Sequence, residues 1–178
     1  MMRSISNMQI KTNYQDRLVA GFAALAISIH LLESALPSPI PGIKPGFANL
    51  ITLYVLIRYG WRLAINVSLL RVLAGSLLLG SFLSPTFLLS LAGAIASLTI
   101  LGIAWHIPGK PVGAVGLAIL AALAHMGAQI MTAYLLFIPH SALFTLLPLL
   151  LTVALISGTL GGILVSKIMK RTDALNTA

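Results

Sequence analysis

Leu36-Pro37-Ser38-Pro39-Ile40-Pro41-Gly42-Ile43-Lys44-Pro45-Gly46-Phe47-Ala48-Asn49 interrupts a chain of 178 residues that is otherwise apolar along almost its whole length. Four prolines within nine residues cannot occupy a helix interior, because each lacks an amide donor and its ring clashes with the preceding turn. The stretch is therefore a stiff loop, and the apolar sequence on either side of it must be counted as separate segments. It also carries a charge, Lys44, and two glycines, Gly42 and Gly46, that permit close backbone approach. Glu33 stands just before it and Asn49 at its end. A tight connection between helices would account for the stiffness alone. Stiffness, charge and glycines together make the loop one wall of a binding site.

Working outward, hydrophobic residues make up 58% of the chain and charged residues 8%, with a mean hydropathy of +1.02. An ordinary soluble domain is about 25% charged. The composition is that of an integral membrane protein. No polar stretch reaches the ~50 residues that a separate water-soluble domain needs. One membrane domain over 17–168 is expected, with short tails at 1–16 and 169–178. Residues 1–15 are polar and lack an apolar core followed by a cleavage site, so they do not read as a removable signal peptide. The chain has no cysteine, which excludes disulfides, iron–sulfur ligation and thiolate metal sites within it. The net charge of +8 does not point to nucleic acid, because the basic residues separate apolar spans and form no stripe interleaved with aromatics. No cofactor or metal is expected.

A bilayer-spanning helix needs about 20 mostly apolar residues. Six segments qualify: 17–36, 47–59, 63–82, 85–105, 112–138 and 143–167. The second is short, so it starts below the membrane surface or the proline loop dips inward. With six spans both termini share one side, which collects Arg3, Lys11, Arg17, Arg58, Arg62, Lys110, Lys167, Lys170 and Arg171; the other side has only Lys44. Lysine and arginine accumulate in cytoplasmic loops, which predicts cytoplasmic termini and an outward-facing proline loop. Small residues at helical spacing let helices approach closely where lipid offers no hydrophobic drive for association. Such sets occur at Gly158, Gly161 and Gly162, at Ala92, Gly93 and Ala96, and on the first helix at Ala20 and Ala24. Most of these serve packing within the chain; Ala20 and Ala24 are the set that could meet another protein.

Arg71 lies near the middle of the third span, where an arginine costs about 2.5–3.5 kcal/mol to insert. It is about nine residues from either end, or ~13 Å, too far for easy snorkelling. Glu33 is the only acid within the apolar region and the obvious partner for Arg71 or Lys44. An ion pair of purely structural value is the rival to a binding role. His125 and Gln129, four residues apart, share a face of the fifth helix. Ser90, Gly93 and Ser97 repeat the pattern on the fourth. A lone buried histidine is more often a satisfied core residue than a ligand, and the nearby Gln129 is what lifts His125 above that. Glu33, Lys44, Asn49, Ser90 and Gln129 fall in the outer half of the membrane, with Arg71 and His125 beneath, so together they describe a polar cup opening outward. His30, His106 and His140 are weaker candidates. Nothing flanking His30 and His125 asks for a haem between them.

These residues resemble a family of small membrane proteins called the Gx transporter family, also known as heptaprenyl diphosphate synthase component I. The likeness runs from about Ala20 to Lys167. It is carried by Glu33, by the block from Pro41 to Asn49, by Arg71 with Gly75 and Gly80, by Ser90 and Gly93, and by His125 with Gln129. The chain departs from the family pattern at Phe47, where leucine is usual, at Met126, where asparagine is usual, and at Ala128, where glycine is usual. The family is in turn similar to the S components of energy-coupling factor transporters, six-helix proteins of the bacterial cytoplasmic membrane that capture a small molecule from outside. In those proteins the loop after the first helix closes over the substrate, and alanines on that helix contact a coupling subunit. The resemblance implies these roles for the proline loop and for Ala20 and Ala24.

Prenyl-diphosphate synthases hold magnesium and diphosphate with aspartate-rich motifs. Asp16, Glu33 and Asp173 are the only acids here, and the two aspartates lie in the tails, so the chain is not expected to be an enzyme by itself. It also lacks a phosphate-binding glycine loop and therefore an ATPase of its own. The leading expectation is an all-helical membrane subunit that binds a small molecule for uptake, energised by a partner. Arg71 and Lys44 set against one acid tilt the cup toward an anion. The alternatives are a non-catalytic membrane subunit in isoprenoid metabolism and a self-sufficient ion-coupled carrier, the last weakened by the lack of an internal repeat.

Overall fold

The computed structural model describes residues 13–35, 47, 49–108 and 112–176. Six α-helices follow in order: α1 (Tyr14–Ser34), α2 (Asn49–Tyr59), α3 (Trp61–Leu78), α4 (Pro85–His106), α5 (Ala114–Leu136) and α6 (Leu147–Asn176). A short 3-10 turn, Ser141–Leu146, precedes α6. Five of these segments are long and apolar enough to cross a bilayer, and α2 is the short one. The chain is a polytopic helical membrane bundle. The proline loop, and Lys44 with it, lies outside the described residues, as does Lys110.

Local chemistry sets the helix starts. Asn13 accepts from the Tyr14 amide and donates its own amide to Asp16, forming a capping box on α1. Ser84 caps α4 through the Phe87 amide, with Pro85 in the first turn, where its missing N–H costs nothing. Between α2 and α3 only Gly60 intervenes, at φ 91°, a left-handed conformation that glycine adopts without a Cβ penalty. That single residue turns the chain, and α2 and α3 pack against each other. Asn49 and Arg71 are each eleven residues from Gly60 and so stand at the same level.

The shortest helix is the most central: α2 touches each of the other five. At 1.5 Å per residue it is about 16 Å long against a hydrocarbon layer of about 30 Å. It is held inside the bundle by protein and does not face lipid on all sides. Its Leu53, Val55 and Leu56 join Ala26, Ala64, Val67, Leu101 and Leu117 in a core at the end of the bundle that carries the termini. A second core, around Met126, Ile130, Leu143 and Leu150, binds α5 to α6 at the other end.

One boundary differs from expectation. The final helix does not stop near Lys167 but continues to Asn176 through the segment read as a tail, and Arg58 at the end of α2 pairs with Asp173 on it at 2.9 Å. Gly127, next to the His125–Gln129 face, serves no close packing: a Cβ there would meet nothing within 4 Å.

Candidate functional site

Helical periodicity turns several polar side chains toward the centre of the bundle. His30 and Glu33 are three residues apart on α1, and His125 and Gln129 four apart on α5, so each pair shares a face. Together with Arg71 and Val72 of α3 and Ser90 of α4, they line one small cavity with about 10 Å³ open to the centre of a water-sized sphere. That is room for about one water. Arg71 is 2% exposed and Gln129 0%.

Arg71 is the expensive member of this set. Among the described residues no carboxylate lies within ion-pair distance of it, and its Nε has no hydrogen-bond partner. Glu33 attracts it electrostatically from farther away. Of the two partners the sequence offered Glu33, Arg71 is not within ion-pair distance and Lys44 lies outside the described residues; the Glu33 carboxylate accepts from the Phe47 amide, just ahead of α2. A carboxylate suits that position, because the amides at a helix start are unpaired and carry partial positive charge.

His125 sits between two amides. The Asn49 side-chain nitrogen lies 3.2 Å from its Nδ1, and the Gln129 side-chain nitrogen 3.0 Å from its Nε2. Asn49 also donates to the Ser97 hydroxyl at 3.1 Å, and Ser97 donates to the Ala121 carbonyl at 3.1 Å. The imidazole rests against Gly93, where a Cβ would come within 2.8 Å of both ring nitrogens. His30 rests in the same way against Gly75, at 2.9 Å from its Cδ2. Each histidine is seated on a glycine of a neighbouring helix.

Of the residues singled out in sequence, Glu33, Arg71, Ser90, His125 and Gln129 are gathered around the cavity, and Asn49 reaches it through His125. Lys44 falls outside the described residues. His30, ranked below the others, is part of the wall; its spacing to Glu33 was the available signal. The support that Ser97 gives Asn49 joins residues 48 positions apart and leaves no local trace. His106 and His140 have other tasks: the first bonds the Gly102 carbonyl at 2.7 Å and meets the Trp61 ring edge-on, and the second caps the 3-10 turn through the Ala142 amide. Ala20 and Ala24 are exposed on α1, and Ala20 borders a groove of about 460 Å³ shared with Asp16, Asn66 and Leu73.

The wall sets the N–H groups of Arg71, the imidazoles of His30 and His125, the Gln129 amide and the Ser90 hydroxyl around a space that the Glu33 carboxylate also borders. No curated protein and no solved structure matches the chain. Residues 22–168, most of the chain and all of the cavity, match the family described as Heptaprenyl diphosphate synthase component I, and the protein belongs to that family.

Proposed function

We propose that this chain is a membrane-embedded binding subunit that holds a small anionic molecule in the cavity around Arg71 and delivers it across the bilayer with a partner that supplies the energy. The observation that carries this reading is Arg71 itself. A guanidinium 2% exposed, with an unpartnered Nε and no carboxylate in contact among the described residues, is left short of the interactions that its burial demands. A bound anion would supply them. Ser90, His30 and Gln129 stand around the same space to orient it. The room in the described walls is that of a closed site, so a guest larger than water requires the walls to part.

A second reading rests on the family description. In it the partner is the other component of a heptaprenyl diphosphate synthase, and this chain is its non-catalytic membrane subunit. The two readings share the anion site and differ in the partner.

Native mass spectrometry of the detergent-purified protein, together with thermal melts in phosphate, pyrophosphate and citrate, tests the shared part. A ligand that binds only the folded state raises apparent stability with concentration. A co-purifying anion, or stabilisation by one of the three that disappears in Arg71→Met, is expected. Equal stabilisation of a well-folded Arg71→Met protein would sink the cavity as an anion site. Uptake into proteoliposomes against restored prenyl-transfer activity of a mixed synthase then separates the two partners.

A further inference from the structure

The hydrogen bonds behind the cavity run in one direction, and that direction has a consequence for what the cavity shows its guest. At its far end the Ala121 carbonyl can only accept, so the Ser97 hydroxyl spends its proton there, at 3.1 Å. Ser97 must then accept from Asn49, which presents its amide nitrogen at 3.1 Å. The same nitrogen faces His125 Nδ1 at 3.2 Å. A donor on that side leaves Nδ1 as the acceptor of a neutral imidazole, and the ring proton on Nε2. Nε2 faces the Gln129 amide at 3.0 Å. A half-turn of that amide about its last torsion places the oxygen against Nε2–H. Its NH₂ group is then directed away from the ring.

This contrasts with most other helical hydroxyls. Ser28, Thr99, Thr152, Thr159, Ser166 and Thr172 each bond a carbonyl one turn back in their own helix. That is the usual resort of a hydroxyl in an apolar medium. Ser97 reaches across to α5 instead and is 2% exposed. It ties α4, α2 and α5 together at the level of Arg71.

We propose that Ser97 and Asn49 are positioning residues that hold His125 as its Nε2–H tautomer, turning the Gln129 amide so that the cavity wall presents donors. That polarity deepens the anion-binding reading, on which its use for a guest rests: an oxyanion is favoured over a cation or a donor-rich neutral molecule. The tautomer itself can be observed without any guest, so its failure is distinguishable from failure of that reading.

The test is histidine-selective ¹⁵N NMR of the full chain in detergent at neutral pH, with His125 assigned by its loss in His125→Gln. The wild-type spectrum should show a single His125 species, protonated at Nε2 and bare at Nδ1. Asn49→Asp replaces the donor by an acceptor and should transfer the proton to Nδ1. Ser97→Ala should yield a mixture of both tautomers, and Ser97→Thr, which keeps the hydroxyl, should restore the single species. An Nδ1–H tautomer or a doubly protonated ring in the wild type would overturn the proposal. So would a Ser97→Ala spectrum identical to wild type, which would remove Ser97 from the relay. If Ser97→Ala does not fold, the Asn49→Asp and Ser97→Thr spectra decide on the same criteria: an unmoved proton in the first, or a mixture in the second, overturns it.

Discussion

Glycines do two different things in this bundle. Along α6, Gly158 and Gly162 bring the helix onto the backbone of α5: a Cβ at Gly162 would stand 2.5 Å from Val115 Cα, and one at Gly158 2.9 Å from Ile119 Cα. At the polar cavity Gly75 and Gly93 face imidazole rings, not backbone. Backbone cannot step aside without moving a whole helix, whereas a side chain can turn. The first kind of glycine therefore decides whether the bundle assembles, and the second decides where a histidine sits in an assembled bundle. The α5–α6 seam is architecture, and the Gly75 and Gly93 seats belong to the site.

Replacing Gly162 by leucine tests the architectural half most severely. Overpacking typically costs about 1–3 kcal/mol and more where nothing can yield. A loss of at least about 3 kcal/mol is expected here, seen as aggregation or a collapsed melting temperature in detergent. If Gly162→Leu melts like the parent, the helices do not meet as closely as this seam requires.

Arg71→Met comes next, and its effect should fall on binding alone. An anion that stabilises the wild type should lose at least tenfold in affinity, about 1.4 kcal/mol, with the fold retained. Because Glu33 is engaged with the Phe47 amide and not paired with Arg71, the variant should not need a compensating change at Glu33. Strong destabilisation rescued by Glu33→Gln would restore the structural ion pair and blur the distinction between seam and site.

Gly93→Ala sharpens the comparison directly. The added methyl displaces the His125 ring at a cost of about 1 kcal/mol, the low end for overpacking, because the obstacle is a side chain. Removing that side chain should remove the penalty: in a His125→Ala background the Gly93→Ala change should cost nearly nothing by double-mutant melts. No comparable single rescue exists for Gly158→Ala, whose neighbours include the Ile119 Cα and the Ala118 carbonyl.

The smallest effect on stability is expected from Ala20→Trp with Ala24→Trp. Both positions are exposed, and surface changes usually stay within about 0.5 kcal/mol. The paired change should instead abolish co-purification of a partner protein. A bundle that fails to fold would show these alanines to be packing residues like those of the seam.

Much of this protein is decided by local information. Apolar length and composition determine that it spans a membrane, the prolines and Gly60 determine where helices stop or turn, and three- and four-residue spacing determines that His30 joins Glu33 and His125 joins Gln129 on common faces. Those are properties of a helix taken alone, so sequence suffices for them. What only the tertiary structure decided is which face meets which. The shortest helix became the central one because its neighbours shield a span too short to cross on its own. Glu33 accepts from the Phe47 amide at the entry to α2, and among the described residues no carboxylate pairs with Arg71. The bond from Asn49 to His125 joins residues 76 positions apart, and that from Asn49 to Ser97 joins residues 48 apart. Contacts of that range depend on how whole helices pack, and no spacing rule within one helix can specify them.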